Sequence, residues 1–366
     1  MKTKDLLKIC TVALAFPFFV TACDNSENDD TTPVTPVSTG LYILNSGNQS
    51  SSIEGTLSYL DYKTSTMSHK LFSTANGRSL GMTAESAVVY GSKMYILVTK
   101  SNTIEVVDKK TCKSIKQIQP TAAQGSMPRH SIVYGGKVYI TMFDGYVSRI
   151  DTTSLSIDAT IKVGPNPEDA ILSNKYMYVA NSDGNNWKNG YVNGQSVSKI
   201  NLSTFTEEKK IAVGLNPGYF CADSNGDIFV LARGNYGTVT SKVQKIDKND
   251  KVTDFADGTM FTSKDNTIYI INAPYKSTNN TYISYNATTG AKISDNFVAT
   301  KVDYPCGISI DPVSGKIFIT SYNLISGKAS YNTNGYVNEY TSDGTLIKKY
   351  ETGVGPIGLT FVTNLQ

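Results

Sequence analysis

Three acidic side chains are the first candidates for chemistry in this sequence, namely Glu85, Glu168 and Asp169. Carboxylates of this kind can hold a divalent cation or move a proton during hydrolysis. The two histidines, His69 and His130, lie far apart in the chain, and neither belongs to a histidine cluster or accompanies a Cys-x-x-Cys pair. Phosphate-binding glycine loops and nucleophile-elbow motifs are also missing. We therefore expect no catalytic residue, no resident metal and no cofactor.

Aromatic residues within polar stretches point to ligand binding instead. Trp187, the single tryptophan, lies in a stretch rich in Asn and Gly at residues 181–195. Aromatic rings offer flat contact area at low entropic cost, and Asn amides both donate and accept hydrogen bonds. The expected ligand is large, mostly neutral, partly planar and rich in amides or hydroxyls. The predicted stacking or packing residues are Trp187, Tyr236, Tyr275, Tyr322 and Tyr331.

A segment that recurs seven times must position these residues. Each copy is a short apolar run centred on an aromatic residue, and the copies follow one another at intervals of about 40 to 50 residues. The aromatic markers are Tyr42, Tyr95, Tyr139, Tyr178, Phe229, Tyr269 and Phe318. A Gly- or Asn-containing turn often precedes the run, which indicates the second strand of a hairpin. An alternating third strand and a polar fourth strand, suited to an outer edge, follow each copy.

Proline marks the first strand of several repeats, as at Pro128, Pro167, Pro217, Pro305 and Pro356. Four strands per repeat, with no helical periodicity between them, predict an all-β fold: a seven-bladed β-propeller of four-stranded blades. Residue 40 begins directly on a second strand, and residues 356–362 supply one extra first strand. We therefore expect the C-terminal strand to complete the N-terminal blade and close the ring.

One face of such a propeller should carry the ligand. The loops from strand two to strand three and the loops between blades emerge on the same face, so the long aromatic loops meet the starts of the first strands there. We expect the ligand to lie over the central channel on this face. The residues expected nearer the channel mouth, as hydrogen-bonding or floor groups, are Arg129, Phe143, Glu168, Tyr219, Arg233 and Asn272.

The beginning of the chain has the pattern of a lipoprotein signal peptide at residues 1–22. A basic start precedes an apolar run that is too short to remain as a membrane-spanning helix. The run ends in Val20-Thr21-Ala22-Cys23, which resembles the bacterial lipobox and implies lipidation of Cys23. Residues 23–39 should form a flexible tether, and residues 40–366 the propeller. The formal charge of +3 favours no nucleic-acid partner, and we expect membrane contact only through the lipid anchor.

The repeats and the anchor together resemble a known family. The aromatic strand markers, the Asp-ending third strands, the Asn-Pro and Gly-Pro entries and the lipobox are similar to those of YncE-like propellers. More narrowly, residues 40–366 and the anchor look like the BtuG surface lipoproteins of gut Bacteroides. That resemblance implies capture of a corrinoid such as cobalamin as a transported ligand. It also implies an outer-membrane, cell-surface location and transfer to a TonB-dependent transporter of the BtuB type.

Two other functions stay open on the sequence. The same loop face is compatible with a glycan, a peptide or a partner protein. A lactonase-like hydrolase is the third hypothesis, because propeller lactonases bind a divalent metal at the channel mouth. That activity would require a metal held by Glu85, Glu168 or Asp169.

Overall fold

The computed structural model describes residues 35–275 and 279–365. Within these residues the chain forms seven four-stranded antiparallel sheets and one two-stranded hairpin. The all-β, seven-bladed propeller predicted from the repeats is confirmed. The predicted signal peptide, the lipidated Cys23 and most of the predicted tether lie outside the described residues.

Each blade follows the predicted order of strands from the channel outward. Blade one contains β1 (Pro36–Asn45), β2 (Thr56–Asp61) and β3 (Thr66–Ser68), and its innermost strand is β30 (Pro356–Leu365). Blades two to four contain β4 (Ala84–Tyr90), β5 (Lys93–Val98), β6 (Thr103–Asp108), β7 (Ser114–Ile118), β8 (Pro128–Tyr134), β9 (Lys137–Met142), β10 (Tyr146–Asp151), β11 (Ser156–Lys162), β12 (Pro167–Ser173), β13 (Tyr176–Asn181), β14 (Ser196–Asn201) and β15 (Thr206–Ala212). Blades five to seven contain β16 (Pro217–Ala222), β17 (Ile228–Ala232), β18 (Lys242–Ile246), β19 (Val252–Asp257), β20 (Met260–Lys264), β21 (Thr267–Asn272), β22 (Thr281–Asn286), β23 (Lys292–Ser294), β24 (Tyr304–Ile310), β25 (Ile317–Tyr322), β28 (Tyr336–Tyr340) and β29 (Leu346–Glu351). The small hairpin of β26 (Leu324–Ile325) and β27 (Lys328–Ala329) lies in a loop of blade seven.

The ring closes in blade one, where β30 pairs with β1. The two strands are antiparallel, and Leu44 lies opposite Gly358, as the incomplete first repeat predicts. β1 begins at Pro36 rather than at the predicted residue 40. The reason is that β30 continues to Leu365 and so gives these earlier residues a hydrogen-bonding partner.

The hydrophobic core is divided among the seven interfaces between neighbouring blades. Successive side chains of a strand point to opposite faces, so each blade has apolar side chains for the neighbour on either side. Between blades two and three, Tyr95 and Leu97 of β5 share a cluster with Val138 and Ile140 of β9. Packing between the blades therefore fixes the inner strands, whose starts form the site described below.

One short helix departs from the predicted all-strand repeat. Helix α1 (Leu71–Asn76) links blade one to blade two, where the sequence shows no helical periodicity. Phe72 is buried in the cluster between these blades, and Gly77 ends the helix in the left-handed conformation at φ 65°. Short 3₁₀ segments occur at Gln49–Ser51, Ala122–Gln124 and Gly184–Asn189. In the part of the chain that the structure describes, no helix is long and apolar enough to cross a membrane.

The loops from strand two to strand three differ in length around the ring. Blades two and three turn back within residues 99–102 and 143–145. The corresponding loops of blades four to seven are longer, and we refer to them together as the rim. The described residues of the rim are 182–195, 233–241, 273–275 with 279–280, and 323–335.

Candidate functional site

The starts of the first strands place side chains around the channel mouth. Six of these strands begin with a register shift against their second strand, which leaves one or two residues bulged. A bulge changes the direction of the side chain it carries. Proline is tolerated at the strand start, because its missing N–H is not needed there. The bulged residues include Glu85, Arg129, Glu168, Gly218, Cys306 and Ile357.

Arg129 joins two carboxylates at this mouth. Its Nη1 lies 3.2 Å from Glu85 Oε1, and its Nε donates to Glu168 Oε2 at 3.1 Å. Arg233 follows the second strand of blade five, and its Nη2 lies 3.4 Å from Glu168 Oε1. We call Glu85, Arg129, Glu168, Arg233 and the neighbouring Tyr219 the floor. Two guanidinium groups face two carboxylates, so the formal charge of the floor is zero.

Burial and ion pairing act in opposite directions on these carboxyl groups. Burial raises the pKa of Glu85, although Arg129 opposes the shift. Burial also acts to raise the pKa of Glu168, but Arg233 and Arg129 outweigh it, and the net shift is downward. Glu168 is therefore the more firmly ionised carboxylate of the floor.

A histidine–aspartate pair lies beside the floor. His130 Nδ1 is 2.6 Å from Asp169 Oδ1, and Asp169 Oδ2 accepts the backbone N–H of Phe220 at 2.9 Å. Burial acts to lower the pKa of His130, but Asp169 and, to a smaller extent, Glu85 together outweigh it, so the net shift is upward. Both side chains line a small cavity that is completed by Glu85, Ser86, Arg129, Glu168, Tyr219 and Ile357.

The three carboxylates that the hydrolase hypothesis assigns to a metal are all paired with basic side chains. Glu85 and Glu168 contact Arg129, and Asp169 contacts His130. Among the described residues, no group of three or more His, Cys, Asp or Glu side chains could hold a metal ion. The channel mouth is thus an ion-pair network that can form charge-assisted hydrogen bonds with a ligand.

Two aromatic rings lie against the guanidinium groups of the floor. Arg129 Cζ is 5.0 Å from the ring centroid of Phe143, and Arg233 Cζ is 5.8 Å from that of Tyr219. Phe143 also packs beneath Gly184, where an added Cβ would lie only 2.9 Å from Phe143 Cζ. Phe143 therefore connects the floor to the blade-four loop of the rim.

The rim exposes most of the aromatic residues that the sequence singled out. The exposed fractions are 60% for Trp187, 62% for Tyr236, 66% for Tyr275 and 46% for Tyr331. More than half of the large apolar side chains exposed in the described residues lie in the rim, which also carries Val192, Val239, Leu324 and Ile325. A concentration of exposed apolar surface bordered by polar groups is typical of a binding surface.

Contacts between rings support this surface. Tyr236 of blade five meets Tyr191 of blade four, with ring centroids 6.3 Å apart. Tyr322 lies between Tyr331 at 4.8 Å and Tyr304 at 6.2 Å. Tyr322 is half-buried, so it supports Tyr331 from below instead of offering a free face of its own.

The structure brings together most of the residues predicted at the channel mouth. Arg129, Glu168, Tyr219 and Arg233 belong to one network, and Phe143 underlies it. Asn272 is half-buried at the end of β21, where the loop with Tyr275 begins. Ligand contact by these residues stays a prediction.

Sequence reasoning missed the partners that complete the site. His130 was not assigned to Asp169, although each residue stands two places after the proline of a first strand. The equal offset from the two prolines is the signal in the sequence that indicates this pairing. Gly218 and Tyr191 were also missed, because their roles depend on side chains from other loops.

Comparison with known proteins places the sequence in a family and the structure in a fold. The model of a family described as Domain of unknown function (DUF5074) matches residues 39–354. No curated protein sequence matches this chain significantly.

Solved propeller structures resemble the chain at low sequence identity. A putative 6-phosphogluconolactonase from Bacteroides uniformis has a TM-score of 0.62 at 12% identity, with 88% of this chain and 99% of that chain covered. Virginiamycin B lyase from Staphylococcus aureus has a TM-score of 0.54 at 12% identity, with coverage of 73% and 83%. Apo AztD from Citrobacter koseri has a TM-score of 0.52 at 10% identity, with coverage of 89% and 99%. At these identities the likeness concerns the fold alone.

Proposed function

We propose that this chain, which belongs to the DUF5074 family, captures a corrinoid of the vitamin B12 class and passes it to a TonB-dependent outer-membrane transporter. One observation carries the proposal: exposed aromatic side chains are concentrated on the rim, on the same face as a charge-neutral floor. Binding sites typically combine apolar and aromatic walls with a few convergent polar groups.

The chemistry of a corrinoid matches the two parts of this face. Its planar macrocycle is large enough to contact several rim aromatics at once, and its amide side chains can reach polar groups below. Rings such as Trp187 and Tyr275 supply the apolar contact, and the floor supplies hydrogen-bond donors and acceptors. Lipidation at Cys23 would hold the propeller at the cell surface beside its transporter.

Hydrolysis receives less support from the same geometry. A lactonase-like mechanism would need carboxylates that are available to a metal at the channel mouth. Glu85 and Glu168 instead face Arg129, and a metal would have to displace that guanidinium. We therefore assign the face to binding.

Isothermal titration with cyanocobalamin tests the proposal. We expect wild-type protein to bind, and Trp187→Ala and Tyr275→Ala each to lose about 2 kcal/mol or more, roughly thirtyfold in affinity. The matched control is Tyr134→Ala, because Tyr134 is a 41% exposed tyrosine at the opposite end of a first strand. Tyr134→Ala should weaken binding by only about a few tenths of a kcal/mol, which is the size of effect expected of a surface substitution away from the site.

Melting temperatures of all variants separate loss of binding from loss of folding. An absence of heat and of any spectral shift with the wild type at micromolar cobalamin would rule out the corrinoid assignment. A glycan array and recovery of co-purified transporter would then decide between the alternatives. If the wild type binds tightly and neither rim substitution weakens binding, the corrinoid assignment stands but the binding site lies elsewhere.

A further inference from the structure

The weakest ion pair of the floor leaves a donor and an acceptor side by side. Arg233 Nη2 lies 3.4 Å from Glu168 Oε1, and Arg233 Nε lies 3.4 Å from the carbonyl oxygen of Asn216. Charge-assisted hydrogen bonds are normally shorter, at about 2.7 to 2.9 Å. Arg129, in contrast, contacts Glu168 Oε2 at 3.1 Å and 2.5 Å. Arg233 and Glu168 Oε1 therefore retain hydrogen-bonding capacity for a third group.

Gly218 is the residue that allows Arg233 to reach the floor. A Cβ on residue 218 would lie 2.7 Å from Arg233 Nε and 2.8 Å from its Cζ. The equivalent bulged residues of the preceding blades carry the long side chains of Arg129 and Glu168. In blade five the first strand leaves this place empty, and a residue of the rim loop fills it.

The cavity beside Glu168 is small, and most of the side chains that line it are ionisable. Its volume is about 60 Å³, and it is lined by Arg129, Glu168, the His130–Asp169 pair and Tyr219. This is room for a few water-sized groups, because one water needs about 10 to 15 Å³ of such volume. The cavity therefore admits a small polar substituent of a ligand, whereas a planar ring must stay outside it.

Charge balance determines which substituent fits. A carboxylate or an ammonium group added here would meet two like charges and two opposite charges, so the balanced floor would not offset the desolvation of either ion. A primary carboxamide is neutral and offers a carbonyl acceptor and an NH₂ donor on the same carbon. Its NH₂ can donate to Glu168 Oε1 while its carbonyl accepts from Arg233, which does not line the cavity but lies 3.4 Å from the same Glu168 oxygen.

We propose that the floor is a recognition site for a primary carboxamide, read jointly by Arg233 and Glu168. This inference rests on the proposed function in one respect: it names the part of the captured ligand that enters the cavity. Gly218 is a positioning residue of the site, since it sets where Arg233 lies. Arg233 and Glu168 determine specificity for the amide over the corresponding acid.

A pair of small probes tests the chemistry without any corrinoid. Nicotinamide and nicotinate share an aromatic ring and differ in carrying a carboxamide or a carboxylate. We expect nicotinamide to bind at about millimolar concentration, as befits so small a ligand. Nicotinate should bind at least about tenfold more weakly, because its carboxylate must lose its hydration beside a floor whose charges already balance one another. Saturation-transfer NMR measures both affinities, and the ¹⁵Nε resonance of Arg233 reports whether the probe is at the floor.

Gly218→Ala is the decisive variant, because it displaces the Arg233 guanidinium without removing a charge. We expect it to abolish the preference for nicotinamide while the melting temperature stays near that of the wild type. Tyr134→Ala is the control, since Tyr134 lies outside the rim, at the opposite end of a first strand from the floor. Arg233→Gln provides a second variant, which keeps a side-chain N–H donor but removes the positive charge and shortens the reach.

The outcomes separate this inference from the proposed function. The carboxamide site is overturned if nicotinate binds as tightly as nicotinamide or more tightly. It is also overturned if nicotinamide does not shift the ¹⁵Nε resonance of Arg233. Cobalamin binding that is unchanged in Gly218→Ala also overturns it, while leaving corrinoid capture intact. Nicotinamide preference that depends on Gly218, in a protein that does not bind cobalamin, supports the carboxamide site and rejects corrinoid capture.

Discussion

Neutralising Glu168 should destabilise the protein, and a second neutralisation should restore part of the loss. At a separation of 3.4 Å, the Arg233–Glu168 attraction amounts to about 5 kcal/mol at an effective dielectric constant of about 20. The desolvation already suffered by both groups offsets much of this attraction. Their side chains are only 16% and 13% exposed, so water screens the pair weakly. We expect Glu168→Gln to lower the free energy of unfolding by about 2 to 4 kcal/mol.

A double-mutant cycle with Arg233→Gln measures the coupling. Glu168→Gln alone leaves the floor with a formal charge of +1, whereas the double variant leaves only Arg129 and Glu85 and is neutral again. The double variant should therefore lose at least about 1 kcal/mol less than the sum of the single losses. Urea unfolding followed by circular dichroism gives the three values.

Arg149→Gln serves as the control for this cycle. Arg149 pairs with Asp158 on the outer strands of blade three, away from the floor. Its effect should add to that of Glu168→Gln within about 0.5 kcal/mol, as expected for independent sites. If Arg233→Gln proved equally additive, the floor would not be the charge-balanced unit described above.

Three further predictions concern pH, ring closure and the anchor. The pKa of His130 is raised in the folded state, chiefly by Asp169, so the protonated pair stabilises the fold. This stabilisation is fully present below about pH 6.5 and is lost as the pH rises through the higher folded pKa. His130→Asn should abolish that part of the pH dependence of urea unfolding. Deletion of residues 357–366 removes the partner of β1, and a melting curve should show no cooperative transition. Cys23→Ala should release folded propeller into the soluble fraction, whereas continued sedimentation with membranes in detergent-free buffer would indicate another anchor.

The fold could be predicted because the sequence repeats one supersecondary unit. An aromatic marker such as Tyr139 or Phe229 occupies the same place in each second strand, and every copy needs neighbours to bury its faces. Helix α1 could not be predicted in this way, because it lies between two repeats and Phe72 gains its burial only from contacts with the blades on either side.

The site could be predicted only in part. Arg129 and Glu168 follow equivalent prolines, so their meeting at the channel mouth follows from the repeat. The repeat does not predict which cationic partner each carboxylate contacts, because Arg233 reaches Glu168 from a loop, through space that Gly218 leaves free. Similarly, nothing in the sequence distinguishes the half-buried Tyr322 from the exposed Tyr331, because both lie in polar surroundings and only packing separates them.

The pairing of β1 with β30 has a consequence for how the chain must be made. The first blade is incomplete until residues 356–365 have been synthesised. The contacts between β1 and β30 join the most distant strands in the described part of the chain, so they should form late. During synthesis, β1 presents a bare backbone edge while the later blades can already pack on one another. Such an edge is an aggregation hazard, and chaperones that shield unpaired strands should therefore raise the yield of native protein. Slow folding limited by long-range pairing is the expected kinetic signature of this closure.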